Sequence, residues 1–317
     1  MKYRILGKTG LKVSEIGFGA WAIGGNQFGN SYGPVDDSQS IKSLVYAYES
    51  GCNFFDTADL YGHGHSEEII GKFIKSIDRE KTIIATKVGC DFYGYGLKMN
   101  FESDYINLAL EQSLKRLNTD YIDIYQLHNP SLDIIRNSDA FETLNDLKKQ
   151  GKIRYIGICI DEAIEGIEAI KQNIDTMQLM YNALEPDMKN ELFSYIENYN
   201  IGLIAREPLS NGILTGKYTE NTYFPFGDIR HAWPITYLRY KTNSAKALRR
   251  FLRDDLDSLT KLSLKFVLAD KNVSVTIPGC KTLEQTIENM SVSELSELRE
   301  DEIYKILNLQ NRRFDTY

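Results

Sequence analysis

The sequence predicts an α/β fold in which one (β/α)₈ barrel, with an N-terminal β-hairpin and extra C-terminal helices, forms a single domain over residues 1–317. The first observation is that short apolar, β-branched runs alternate with longer amphipathic runs about seven or eight times, which indicates a parallel sheet. The second is that 317 residues suit such a barrel. The third is that the G-x-G-x-x-G pattern of a doubly wound dinucleotide-binding sheet is missing.

The predicted strands are short apolar runs, several of which lack the polar alternation of half-exposed strands. This is the composition expected when helices cover both faces of a parallel sheet. After a first strand that ends near Gly19, the predicted strands cover residues 52–55, 82–85, 121–127, 153–158, 177–180, 202–205 and 273–277.

Amphipathic segments between these strands predict helices, the first of which has an apolar stripe at Ile41, Leu44, Val45 and Tyr48. The predicted helices cover residues 38–50, 67–77, 105–117, 141–150, 162–173, 187–200 and 260–268, and a capping box at residues 282–285 begins another. Residues 4–13 form the predicted hairpin, with Gly10 in its turn, at the bottom of the barrel. Two long segments, 91–100 and about 208–239, are predicted to border the active site.

Charge and cysteine usage limit the partners and the compartment. The 37 basic and 44 acidic residues give a net charge of -7, which argues against a nucleic-acid partner. No apolar run approaches the roughly 18 residues that span a bilayer, so no membrane partner is expected. The four cysteines lie far apart without a CxxC pair, which argues against a metal–thiolate site or a disulfide scaffold and favours a reducing cytoplasm.

Three ionisable residues lie where predicted strands end. Asp56, Lys87 and His128 each follow an apolar run, and Tyr61 lies five positions beyond Asp56. Because strand ends meet at the C-terminal mouth of a barrel, the four residues form a candidate proton-transfer site. An ammonium near a phenol favours the phenolate, so we expect Lys87 to lower the pKa of Tyr61. Taken singly, each residue also fits a cap, a solvated lysine or a structural ring.

Six segments, taken together and in order, resemble the aldo-keto reductases over about residues 1–290. They are LGKTGLKVS (6–14), FDTADLYG (55–62) followed by SEE (66–68), IATKVG (84–89), YIDIYQLH (121–128), GKIRYIG (151–157) and LTGKY (214–218).

The resemblance implies a barrel enzyme that transfers hydride from NADPH, with NADH as an alternative, to a small aldehyde or ketone such as a sugar. Tyr61 would be the proton donor, assisted by Lys87 and Asp56, and His128 would orient the carbonyl group. Trp21, Tyr61 and His128 would contact the substrate, although Trp21 also fits a packing role. No metal is implied.

The resemblance also implies a set of cofactor-binding positions along the strand ends and in the late loops. They are Gly19, Ala20, Trp21, Asp56, Gln178, Arg206, Pro208, Leu209, Asn211, Gly212, Lys217, Arg230, Gly279, Lys281, Gln285, Glu288 and Asn289. Gln178 would bind the nicotinamide carboxamide, and Lys281 with the capped helix would hold the 2′-phosphate.

The sequence departs from the family pattern at two places. Cys159 and Ile160 occupy the positions of a Ser-Asn pair that binds the carboxamide, and they cannot make the same hydrogen bonds. Arg206 replaces the aromatic residue that stacks on the nicotinamide. Its planar guanidinium would either stack there and disfavour the oxidised ring, or pair with Glu207 or another acid and have no cofactor role.

Two alternatives come from other functional classes. A cofactor-binding regulatory subunit with little turnover also fits the retained site residues. A metal-dependent isomerase or hydrolase using His128 and Asp56 would need further histidine or carboxylate ligands, and the chain has only four histidines. The substrate and the oligomeric state are not predicted.

Overall fold

The computed structural model describes residues 1–29, 31–94 and 96–311, the last two of these by their backbone alone. Tyr95, which lies in a segment predicted to border the active site, and residues 312–317 lie outside the described residues.

Eight parallel strands form the barrel, in the order β3-β4-β5-β8-β9-β10-β11-β12. In chain order they are Phe18–Gly19 (β3), Phe54–Asp56 (β4), Ile83–Val88 (β5), Ile122–His128 (β8), Ile153–Cys159 (β9), Thr176–Met180 (β10), Gly202–Arg206 (β11) and Val273–Thr276 (β12). Parallel bridges from Ile16 to Thr276 and from Gly19 to Gly279 join the first barrel strand to the last. The predicted (β/α)₈ barrel is therefore confirmed, and the predicted strands agree with it to within a few residues.

Helices surround the barrel, and each predicted helix is present. In the described residues they are Asp37–Glu49 (α1), His65–Ile74 (α2), Ser103–Leu117 (α3), Leu132–Asn137 (α4), Ala140–Lys149 (α5), Ala163–Lys171 (α6), Met188–Asn198 (α7), Ile235–Leu248 (α8), Leu259–Leu268 (α9), Leu283–Ser291 (α10) and Glu300–Asn311 (α11). None of these helices has the length and apolar character needed to cross a membrane.

The hairpin covers the bottom of the barrel as predicted. Strands Tyr3–Ile5 (β1) and Lys12–Ser14 (β2) pair antiparallel, and Gly10 takes the left-handed conformation with φ of 69°. Leu6 and Val13 are fully buried against the barrel interior, where they pack with Phe54, Ile124 and Val275. This apolar contact closes the barrel at the end opposite the strand-end residues.

The two long segments contain more regular structure than predicted. Within residues 89–100, Cys90–Asp91 (β6) and Lys98–Met99 (β7) form a short antiparallel pair. The segment predicted as a loop to residue 239 ends earlier, because α8 begins at Ile235 and short 3₁₀ turns occupy Ile213–Thr215 and Ile229–Ala232. Pro234 just before α8 is a helix-start signal that the sequence prediction missed.

Candidate active site

Asp56, Lys87 and His128 lie together because their strands are neighbours in the barrel. Asp56 ends β4 and pairs in register with Ala85, two residues before Lys87 on β5. Lys87 pairs with Gln126 on β8, two residues before His128. Tyr61 lies in a turn after β4, and this turn packs closely against the backbone at Gly24. A Cβ on Gly62 would overlap the Gly24 carbonyl oxygen. The absence of a side chain at Gly62, whose φ is 64°, therefore allows the turn to place Tyr61 at the mouth.

Lys87 is the centre of the charged group. Its Nζ donates hydrogen bonds to Asp56 Oδ2 at 2.7 Å, to the Thr57 carbonyl oxygen at 2.8 Å and to the Tyr61 hydroxyl at 3.2 Å. Lys87 is 0% exposed and Asp56 2% exposed. All three ammonium protons thus have acceptors, and the Tyr61 hydroxyl keeps its own proton for a group in the cavity.

The net effect on the Tyr61 phenol is opposite to our expectation. Burial raises the pKa of Tyr61 to about 12, and the charge of Lys87 offsets this only in part. The lysine is itself neutralised by Asp56, which explains why its influence on the phenol is smaller than that of burial. Asp56 and Tyr61 raise the pKa of Lys87 against the opposing effect of burial, so the lysine stays charged.

His128 lies beside the tyrosine. The two rings meet edge to face, with 6.0 Å between their centroids. Burial, with added repulsion from Lys87 and Arg206, holds the pKa of His128 well below its usual value of 6.5. The imidazole is therefore neutral near pH 7, and its Nδ1 is buried without a hydrogen-bond partner in the described residues.

These residues face a cavity of about 420 Å³ at the C-terminal mouth. Asp56, Tyr61 and His128 line it, and Lys87 lies directly beneath. All but one of the predicted cofactor positions line the same cavity. The exception is Ala20, which is buried and donates its backbone N–H to the Asp56 carbonyl oxygen.

The carboxamide position differs from the expected arrangement. Gln178 Nε2 donates to Asp56 Oδ1 at 2.7 Å and is 3.4 Å from the side-chain oxygen of Gln126. Cys159 Sγ lies 3.8 Å from Gln178 Oε1. The Gln178 amide group is thus already used to hold Asp56. Gln126 was missed, although a glutamine near the end of a buried, mostly apolar strand, two residues before His128, was the signal that could have found it.

The sequence left two roles open for Arg206, a contact with the nicotinamide or an ion pair with an acid. The structure shows both a position at the cavity and ion pairs. Arg206 pairs with Asp161 and with Glu207, each at 2.5 Å, and donates to the Ile160 carbonyl oxygen at 3.2 Å. It also lines the cavity, and its Nε is buried without a partner among the described residues. Asp161 and Glu207 offset the charge of Arg206. Arg206 would therefore repel an oxidised nicotinamide less than an unpaired arginine would.

The loop after Arg206 has an unusual backbone. Glu207, Ser210 and Asn211 all have positive φ, at 52°, 46° and 54°, and Gly212 follows at 87°. Such conformations are costly for residues with a Cβ and are found mainly where surrounding structure and function require them. Pro208, Leu209, Asn211 and Gly212, four of the cofactor positions that the resemblance implies, line the cavity.

The far end of the cavity carries its positive charge. Lys217 is exposed there, and Lys281 Nζ donates to the Tyr32 carbonyl oxygen at 2.9 Å, with no acidic partner within ion-pair distance among the described residues. Arg230 is held by Asp228 at 2.7 Å and lies against the rings of Tyr32, Tyr218 and Phe224. In the part of the chain that the structure describes, the two lysines are therefore the cations at this end that a phosphate could approach.

The helix after the last strand begins at the cavity. Thr282 and Gln285 form the predicted capping box of α10, so the Gln285 side-chain oxygen is used by the backbone. Glu288 accepts from Ser258 at 2.7 Å, and Asn289 donates to the Gly279 carbonyl oxygen at 3.3 Å. Gly279 has no atom within 4 Å of where a Cβ would lie, which leaves open space over the backbone.

Two buried acids near the site were not predicted. The carboxylate of Glu67 accepts hydrogen bonds from Arg116 at 2.7 Å and from the Thr86 hydroxyl at 2.6 Å. Thr86 is the residue before Lys87 in the chain. Asp59 is fully buried, and neither of its carboxyl oxygens has a hydrogen-bond partner in the described part of the chain. Burial raises the pKa of Asp59 well above its usual value, with a further contribution from Glu67.

The aromatic residues around the mouth fall into two groups. Trp21 lines the cavity and packs against Tyr32 and Tyr61, with ring centroids 4.9 and 6.1 Å apart. Both a packing role and a ligand contact are therefore open to it. Phe92 instead stacks on His63, which stacks on Phe28. In the described residues this column joins three loops outside the cavity lining.

The described residues contain no group of three or more histidine, cysteine, aspartate or glutamate side chains placed to hold a metal ion. The four cysteines are buried and free. The further ligands that the metal-dependent alternative needs are thus not found beside His128 and Asp56 in the described residues.

Comparison with known proteins places the chain in a family. The model of the aldo/keto reductase family matches residues 15–311. The chain is 36% identical to the aldo-keto reductase YhdN of Bacillus subtilis over 237 residues, which are 74% of this chain and 70% of that protein. It is 30% identical to an NADH-specific methylglyoxal reductase of Escherichia coli over 93% of this chain and 94% of that protein. The holo form of the aldo-keto reductase AKR11C1 from Bacillus halodurans superposes with a TM-score of 0.81 at 31% identity, covering 98% of this chain and 96% of the other. The chain belongs to the aldo/keto reductase family.

Proposed function

We propose that this oxidoreductase reduces a small aldehyde or ketone with NADPH, with Tyr61 as the proton donor. The observation that carries the proposal is the Lys87–Asp56–Tyr61 group, in which Lys87 Nζ lies 2.7 Å from the carboxylate and 3.2 Å from the phenol, at the base of a cavity whose far end is cationic. Residues 1–317 act as one domain in this proposal.

The residues present fit a dinucleotide. The strained loop after Arg206, the open backbone at Gly279 and the cations Lys217 and Lys281 all border the cavity. Phosphate binding there agrees with a positive helix N-terminus at α10 beside Lys281. Lys281 and Lys217 favour the extra charge of NADPH, whereas a relative is named as NADH-specific. We therefore assign NADPH as the preferred cofactor and NADH as the alternative.

A reduced nicotinamide held in this cavity would supply hydride to the carbonyl carbon, and the side chains of the protein act on the carbonyl oxygen. Tyr61 donates a proton to that oxygen as its negative charge grows. Lys87 stabilises the phenolate that remains, and Asp56 with Gln178 holds Lys87 in place. Neutral His128 lies beside Tyr61 and orients the oxygen by a hydrogen bond.

One observation favours the second candidate, a cofactor-binding subunit with little turnover. Gln178 is engaged by Asp56, and Cys159 and Ile160 lack the expected amide donors, so fewer groups would orient the nicotinamide ring for hydride transfer even when the rest of the cofactor is bound. A panel of aldehydes and ketones with NADPH and NADH separates the two. Turnover that depends on Tyr61 supports the reductase, and tight cofactor binding without turnover supports the subunit.

A further inference from the structure

A second cavity of about 360 Å³ adjoins the active site. It lies between the segment that follows β7 and the segment that follows β8, away from the cofactor positions. Asn129, the residue after His128, lines both cavities. The second cavity is therefore placed to receive a part of a substrate that extends beyond the carbonyl group at His128.

Asn129 is held in one orientation. Its backbone is left-handed, with φ of 51°, and its N–H donates to the Cys159 carbonyl oxygen at 3.0 Å. The side-chain Nδ2 donates to Asp161 Oδ2 at 2.8 Å, and Asp161 in turn pairs with Arg206. A carboxylate only accepts hydrogen bonds, so the amide nitrogen must face Asp161 and the amide oxygen must face away from it.

The amide oxygen of Asn129 is buried and has no hydrogen-bond partner in the described residues. A buried acceptor without a donor is costly, and native proteins rarely leave one unsatisfied by protein, water or ligand. Among the described residues, Asn129 alone lines both cavities, so a hydroxyl group of a substrate that extends from one cavity into the other would satisfy this oxygen.

The charges around the second cavity limit what can bind there. Of the described residues that line it, Glu102 and Asp139 are acidic, and none is lysine or arginine. Arg206, which lines the adjoining cavity, is offset by Asp161 and Glu207, and Arg136 on α4 pairs with Glu168. Apolar contacts come from Met99, Phe101 and Ile134. A neutral, hydroxyl-bearing carbon chain matches this lining, whereas a carboxylate or phosphate would be repelled.

We propose that the second cavity binds the hydroxylated end of the carbonyl substrate and that Asn129 determines this specificity by accepting a hydrogen bond from a substrate hydroxyl. The inference rests on the proposed reductase function and narrows it to neutral polyhydroxylated carbonyl compounds. Compounds whose distal end is anionic are excluded.

The test uses three ketones with the same five-carbon skeleton: pentan-2-one, ribulose and 4-oxopentanoate. We expect the full-length protein with NADPH to give kcat/KM highest for ribulose and lowest for 4-oxopentanoate. Asn129→Leu should lower the ratio of kcat/KM for ribulose to that for pentan-2-one about tenfold, the size of one lost hydrogen bond. The matched control is Asn198→Leu, at an exposed position that ends α7 and lines neither cavity, which should keep the wild-type ratio.

A second variant keeps the test independent of how well Asn129→Leu folds. Glu102 is exposed and its side chain does not cap α3, so Glu102→Lys places a cation at the cavity with little effect on folding. We expect it to raise kcat/KM for 4-oxopentanoate severalfold relative to pentan-2-one. If ketones are reduced but these ratios do not change in either variant, the inference is wrong and the reductase stands. If no ketone or aldehyde is reduced at all, both proposals fail.

Discussion

The ammonium of Lys87 lies 2.7 Å from the carboxylate of Asp56, and both groups are enclosed by the barrel. A buried ion pair contributes little net stability, but loss of one partner leaves an uncompensated charge that costs about 3–5 kcal/mol. The role of the ion pair is therefore better explained as positioning, because Asp56 holds the Lys87 ammonium next to the Tyr61 hydroxyl.

We expect Lys87→Met to lower the free energy of unfolding by about 3–5 kcal/mol, because Asp56 would remain buried as an anion. Adding Asp56→Asn should recover part of this loss, since the neutral amide needs no counter-charge. Denaturant unfolding of the two single variants and the double variant measures the coupling. Additive losses in the double variant would show that the two groups do not compensate each other.

Removal of the proposed proton donor should act on turnover rather than on cofactor binding. Tyr61→Phe deletes the hydroxyl that accepts from Lys87, and we expect kcat for carbonyl reduction to fall roughly 10²- to 10⁴-fold. Affinity for NADPH, measured by fluorescence titration, should change little. The matched control is Tyr125→Phe, which removes a buried hydroxyl without a hydrogen-bond partner in the described residues. Full activity in Tyr61→Phe would disprove the assignment.

The pH dependence of reduction should be flat from about pH 6.5 to 9. Tyr61 keeps its proton over this range because its pKa is raised to about 12. His128 is uncharged over the same range because its pKa lies well below 6.5. Oxidation of the corresponding alcohol requires the phenolate, so its rate should increase with pH throughout. The measurement is a pH profile of kcat/KM for reduction and for oxidation. An inflection near pH 6.5 that is lost in His128→Asn would contradict a neutral imidazole in this range.

Cofactor preference should depend on Lys281. Its Nζ has no acidic partner within ion-pair distance in the described residues and lies beside the N-terminus of α10, so Lys281→Met removes a cation that a 2′-phosphate would approach. We expect the KM for NADPH to rise about tenfold while the KM for NADH changes less. Lys261→Met, which breaks only a helix-surface pair with Asp257, serves as the control. Equal changes for both cofactors would place the phosphate elsewhere.

The parts of the site that the sequence predicted are those fixed by strand ends. Asp56, Lys87 and His128 could be placed because residues that end neighbouring parallel strands must meet. The partners of Gln178 and Arg206 could not be predicted, because they depend on contacts between segments far apart in the chain. The sign of the Tyr61 pKa shift was missed for a similar reason, since burial of the ring is a tertiary property.

The buried carboxyl group of Asp59 should lower the stability of the folded protein as the pH rises. In the unfolded chain its carboxyl group ionises above its usual pKa of 3.8, whereas in the folded protein burial raises that pKa well above this value, so the group holds its proton to a higher pH. The folded state thus binds more protons, and stability falls as the pH rises above 3.8. Asp59→Asn removes this titration, so we expect its Tm relative to wild type to increase steadily from pH 4 to pH 7. The exposed Asp120→Asn should show no such trend. A Tm difference for Asp59→Asn that stays constant with pH would mean that Asp59 ionises in the folded protein, with water or a neighbouring charge stabilising it.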